Sequence, residues 1–243
     1  MSVNVSISIE DDVLDSVGSL FYLVSPWKHT FYSIEDCPDH LDRALPYMIF
    51  LIVLEALISL VVQGKKYNMA DSLTNVNIGV LMVLAGLVSK FAMLSTYSWV
   101  HQHYRVLDLN WDSVYVWVLA AVAVDCGYYW FHRASHEIGF LWAVHQVHHS
   151  SEEFNLTTAF RQPILEGLGW ITHWFYLPCA LLIPTPQMLV HSELNFLYQF
   201  WIHTELVGNL GPLELIFNTA TQHKVHHGTN RSYQSTNEII QNY

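Results

Sequence analysis

Five histidines fall between His132 and His149: His132 and His136 four apart, then His145, His148 and His149. Further along, His223, His226 and His227 repeat the second spacing. On a helix, residues three and four apart share a face, so each group presents its imidazoles in one direction. Neutral imidazole ligates zinc, copper, iron and nickel, so these residues point to a metal centre without naming its metal. A lone histidine is more often a satisfied or solvated residue, but three groups at ligand spacing hold eight of the chain's fifteen histidines. Eight ligands exceed the four of a structural zinc site, and the surplus points to two metals. If the metal is redox active, two irons held by imidazoles can split O2 reductively and attack an unactivated C–H bond, which zinc cannot do. Glu137, directly after His136, is a candidate base or orienting group. Asp125 lies seven residues before His132 on roughly the same helix face, where a carboxylate would accept a ligand histidine's spare N–H and fix its tautomer.

The elements that must position these residues read as membrane helices. The chain has 243 residues, 52% hydrophobic and only 13% charged, which favours an integral membrane class over a soluble one. Its net charge of −11 gives no footprint for nucleic acid. Cys37, Cys126 and Cys179 form no CxxC pair and support neither a disulfide framework nor a thiolate site. No basic segment with a short apolar core opens the chain, so the first membrane helix is expected to direct insertion.

Apolar runs over 44–62, 76–99 and 114–131 are long enough to span, and the third delivers the chain to His132. Runs over 165–183 and 188–202, joined across Pro184 and Pro186, form a hairpin that just crosses or only dips in. The expectation is an all-α integral membrane bundle with four crossings. Residues 1–43 read as a polar lead-in with one short helix near Val13 to Val24, 44–231 as the membrane domain and 232–243 as a polar tail. Lys65, Lys66, Arg133, Arg161, Lys224 and Arg231 fall on one side and Arg105 on the other, so the positive-inside rule puts all three histidine groups at the cytosolic face. His191, Asn195, Gln199 and His203 recur every four residues as a polar stripe. It either looks into the cavity of the clusters or glues the bundle by hydrogen bonds. His203 would then be a ninth ligand or a ligand's partner. Arg161 and Gln162 lie where they would meet a cofactor or lipid head group, or be solvated.

The strings His-Arg-Ala-Ser-His, His-Gln-Val-His-His and His-Lys-Val-His-His resemble the three histidine boxes of the fatty acid hydroxylase superfamily of integral membrane di-iron enzymes. The longer stretches 124–137, 148–163 and 195–219 are similar to its alkylglycerol (glyceryl-ether) monooxygenase branch. The resemblance implies hydroxylation of the ether-linked carbon of an alkylglycerol or lyso-alkylglycerophospholipid. It implies O2, two irons and tetrahydrobiopterin as reactants and cofactors, a fatty aldehyde and a glycerol derivative as products, and the endoplasmic reticulum membrane as the location. The implied iron ligands are His132, His136, His145, His148, His149, His223, His226 and His227, with Glu137 a further essential residue.

The boxes alone leave a sterol or fatty-acyl hydroxylase or desaturase open. A metal transporter is a reading from another class, against which the ligands flank the spans instead of threading them. After Arg231 the sequence departs from the family pattern, so a C-terminally truncated chain is expected, active or inactive. Pterin contacts and oligomeric state are not legible.

Overall fold

The structure is a computed structural model that describes residues 9–64 and 66–228. Lys65, Arg231 and the tail 232–243 lie outside the described residues. The described chain is all-helical. Helix α1 (Ile9–Ser19) sits a few residues ahead of the expected lead-in helix. Leu23 N closes it by bonding Gly18 O at 2.8 Å, and a Cβ on Gly18 would lie 2.4 Å from Leu23 O. The lead-in packs into the bundle: Leu20 joins Ala44, Met48, Leu197 and Phe200 in one core, and Tyr22 Oη meets His191 Nδ1 at 2.7 Å.

Three long helices follow. Asp39 caps α2 (His40–Val61) by accepting from Asp42 N, and Asn68 caps α3 (Met69–Tyr104) by accepting from Asp71 N. Next comes α4 (Val114–Glu137). Among the described residues these three are long and apolar enough to cross a membrane. Their apolar side chains face outward, with only 17%, 11% and 28% of the most apolar windows buried, and lipid is the solvent that suits such surfaces. At 36 residues, α3 is about 54 Å long, well beyond a hydrocarbon core of about 30 Å. Its first two turns carry the buried polar residues Asp71 and Asn75.

Beyond α4 the helices shorten. They are α5 (Gly139–His145), α6 (Ile164–Gly167), α7 (Trp170–Tyr176), α8 (Thr185–Trp201) and α9 (Ala220–His226), with 3-10 turns over His148–Ser150, Leu156–Phe160, Leu177–Leu181 and Gly211–Leu215. The apolar run 165–183 is therefore not one span. Gly169, at φ +65°, and Pro178 break it into α6, α7 and a 3-10 turn, so the described residues hold three long spans where the sequence suggests four. The hairpin itself forms. Its irregular leg follows α3 from Gly86, beside Gly167, to His101, whose Nδ1 meets Ala180 O at 2.9 Å. Helix α8 then returns from the Ser98–Thr185 hydroxyl contact of 2.7 Å. Gly169 itself is buried beside Met93 of α3, so the backbone at the break is covered by protein.

Asn68, at the start of α3, and the loops 146–163 and 202–219 share one end of the bundle. Asn68 N donates to Glu153 Oε2 at 3.1 Å. Buried Glu55 accepts from Leu156 N at 2.7 Å and from the Thr204 hydroxyl. The opposite end joins the loop 105–113 to the lead-in through Tyr32 Oη donating to Asp112 at 2.6 Å.

Candidate metal centre

The bundle brings nine imidazoles together at one end. His132 and His136 lie in the last turns of α4, His145 ends α5, His148 and His149 occupy the following 3-10 turn, and His203 comes just after α8. His223 and His226 lie on α9, with His227 as its C-cap. They form two pockets: His132, His136, His145 and His149 in one, His148, His203, His223 and His227 in the other, each with donor atoms within 4.8 Å of one another. His226 stands between them, grouped with His149 and His227, its ring 4.6 Å from that of His136.

The nitrogens fit a metal. Nε2 atoms face one another at 3.3 Å between His132 and His136, 3.2 Å between His148 and His203, 2.8 Å between His203 and His223, and 3.2 Å between His223 and His227. Ligand nitrogens about 2.0–2.1 Å from one ion sit about 3.0–3.4 Å apart, so most of these separations match edges of a coordination shell. The Nε2 atoms of His145, His149 and His226 are buried without a hydrogen-bond partner. Burial, aided by neighbouring imidazoles, pushes His148, His223, His226 and His227 well below the ordinary histidine pKa. Burial also lowers His149 to about 2 and His203 to about 4. All six are neutral at pH 7, the form in which imidazole ligates.

The outer nitrogens are held from behind. His145 Nδ1 donates to Glu166 Oε1 at 2.9 Å, His203 Nδ1 to Gln199 O at 2.6 Å, and His148 Nδ1 to Arg161 O at 3.3 Å. Each bond fixes a tautomer and turns Nε2 toward the interior. The connecting loop is tied to the N-terminal turns of α3. Arg161 Nη1 reaches Asp71 at 3.3 Å and Asn75 at 2.9 Å, and its Nε reaches Val147 O at 3.1 Å and Ser150 Oγ at 2.9 Å. Arg161 is thus consumed inside the protein, while Gln162 lies 3.3 Å from His148 Nδ1.

Neither of the two carboxylates singled out in the sequence contacts the imidazoles. Asp125 accepts from Asn195 Nδ2 at 2.8 Å, so its partner is an amide of the stripe on α8. Glu137 is 61% exposed and pairs with Arg133 one helical turn back at 2.9 Å. The carboxylate behind a cluster histidine is instead Glu166, which sequence reasoning missed because it lies in a short helix with no histidine spacing to mark it. The stripe divides: His203 enters the second pocket, Gln199 and Asn195 form a hydrogen-bonded link at 3.2 Å, and His191 pairs with Tyr22.

A cavity of about 230 Å³ opens beside the cluster. His203, Glu166, Gln162, Gln199 and Asn195 line its polar side. Met48, Met82, Phe131, Phe160, Phe196 and Phe200 make the rest largely apolar.

Human alkylglycerol monooxygenase is 46% identical over 226 residues, covering 91% of this chain and 50% of the relative. The Danio rerio alkylglycerol monooxygenase is 47% identical, covering 87% of the chain and 47% of the relative. A Nicotiana tabacum Delta(7)-sterol-C5(6)-desaturase is 28% identical, covering 55% of the chain and 49% of that protein. The chain spans about half the length of the curated relatives it matches first. No solved structure matches it. Residues 117–242, which contain all nine clustered histidines, match the fatty acid hydroxylase profile, and the chain, a homologue of the alkylglycerol monooxygenases, belongs to the fatty acid hydroxylase family.

Proposed function

We propose that the chain carries the oxygenase site of an ether-lipid monooxygenase, which hydroxylates the ether carbon of an alkylglycerol or lyso-alkylglycerophospholipid with O2 and tetrahydrobiopterin. The observation that carries this reading is the apolar cavity leading to His203, in a chain similar to alkylglycerol monooxygenases along most of its length. His132, His136, His145 and His149 would hold one iron, and His148, His203, His223 and His227 the other, with His226 between them. The iron pair would supply O2 activation. The residues of the chain do the remaining work. Met82, Phe131, Phe160 and Phe196 take up the alkyl tail and keep water from it. Gln199 and Asn195 offer hydrogen bonds where the tail gives way to its polar head, and Asp125 orients Asn195. Glu137, paired with Arg133, stands at the aqueous rim.

Lys66, Arg133, Arg161 and Lys224 gather at the histidine end, which supports placing that end in the cytosol, with the endoplasmic reticulum as the membrane. Membranes from cells expressing this chain, given labelled 1-O-alkylglycerol with and without tetrahydrobiopterin, test the proposal. Fatty aldehyde formed only with the pterin supports it. Pterin-independent oxidation of a sterol or acyl lipid, or iron binding with no aldehyde, overturns it.

A further inference from the structure

The cluster's outer nitrogens are not held alike. His145 Nδ1 meets a carboxylate, Glu166, at 2.9 Å, whereas His148 and His203 turn Nδ1 to backbone carbonyls at 3.3 Å and 2.6 Å. His223 Nδ1 faces the Asn218 amide at 3.4 Å. A carboxylate only accepts, so His145 Nδ1 carries the proton and Nε2 keeps its lone pair. That Nε2 is buried within the first pocket and has no hydrogen-bond partner. The two side chains are 3% and 13% exposed, so little water screens the pair.

An anionic acceptor draws the Nδ1 proton away and makes Nε2 a stronger donor to a metal than a carbonyl-backed imidazole. Two close backbone contacts set the position of Glu166. A Cβ on Gly167 would lie 2.3 Å from Met82 O, and one on Gly86 would lie 3.2 Å from Gly167 O. The short helix α6 is therefore seated on α3 itself, and its carboxylate reaches His145 from that fixed seat.

We propose that Glu166 is a positioning residue that makes the two metal pockets unequal: the pocket of His132, His136, His145 and His149 holds its ion more tightly than that of His148, His203, His223 and His227. The inference rests on reading both pockets as metal sites. It also orders the ions: the one nearest the His203 end of the lipid cavity leaves first.

The test uses the full chain in detergent, loaded anaerobically with ferrous iron and dialysed against graded chelator, with iron per chain as the readout. The wild type is expected to release its iron in two steps. His203→Ala should lose the early step and keep the late one. Glu166→Gln keeps the shape and removes the charge, and should move the late step by about 10- to 100-fold in chelator. Gly167→Ala, which lifts α6 off α3 while retaining the carboxylate, should move the same step. Release of both wild-type ions in one step, or a late step unmoved by Glu166→Gln, overturns the proposal. A wild type that takes up no iron overturns the metal-site reading as well, so the two failures are distinguishable without any activity assay.

Discussion

His203 Nε2 lies 2.8 Å from His223 Nε2, one imidazole held just beyond α8 and the other on α9. The contact joins the returning leg of the hairpin to the third histidine group. It also gives the second pocket an imidazole that lies outside the three boxes.

His203→Ala is accordingly expected to lower bound iron from about two ions per chain to about one, while leaving the first pocket filled. Elemental analysis of the purified variant checks this. Retention of wild-type iron would remove His203 from the ligand set.

Arg161 and Asp71 form a nearly buried ion pair, with side chains 13% and 5% exposed, and Asp71 also accepts from Ser151 Oγ at 2.8 Å. Arg161→Met leaves that carboxylate uncompensated and is expected to cost about 3–5 kcal/mol. Arg161→Lys should rescue little, because one ammonium cannot reproduce the guanidinium fork. Thermal unfolding in detergent reads both, and wild-type stability in Arg161→Met would show that the loop is anchored elsewhere.

Gly167 and Gly139 make an internal comparison. A Cβ on Gly167 meets Met82 O at 2.3 Å, whereas one on Gly139 meets nothing within 4 Å. Gly167→Ala should destabilise by about 1–3 kcal/mol, the usual cost of overpacking, and Gly139→Ala should stay within about 0.5 kcal/mol. Equal melting temperatures would contradict the close seating of α6 on α3.

Thr172 lines the cavity from α7. Thr172→Phe is expected to shift the preference toward shorter alkyl chains, with each methylene left unburied costing about 0.8 kcal/mol, or about fourfold in kcat/KM. A series of alkylglycerols measures it, with iron content as a control. An unchanged length profile would place the alkyl tail in another cavity.

Much of this architecture was legible in the sequence because its signals are local. Apolar length marked α2, α3 and α4, and spacings of three and four marked every imidazole of the three boxes. The four-residue stripe also flagged His203, though spacing alone left its role open between ligand and partner. The supporting residues were invisible for a physical reason: a carboxylate's partner is set by which backbones touch, and α6 reaches α3 only because Gly86 and Gly167 let them meet. Local spacing favoured Asp125, seven residues before His132, over Glu166, yet Glu166 backs an imidazole and Asp125 meets an amide. The run 165–183 reads as a span by hydropathy, and only burial against α3 and α4 permits its break at Gly169. The chain's composition thus determined a membrane bundle with a histidine-rich end, and tertiary packing decided which nine imidazoles face one another and which carboxylate stands behind them.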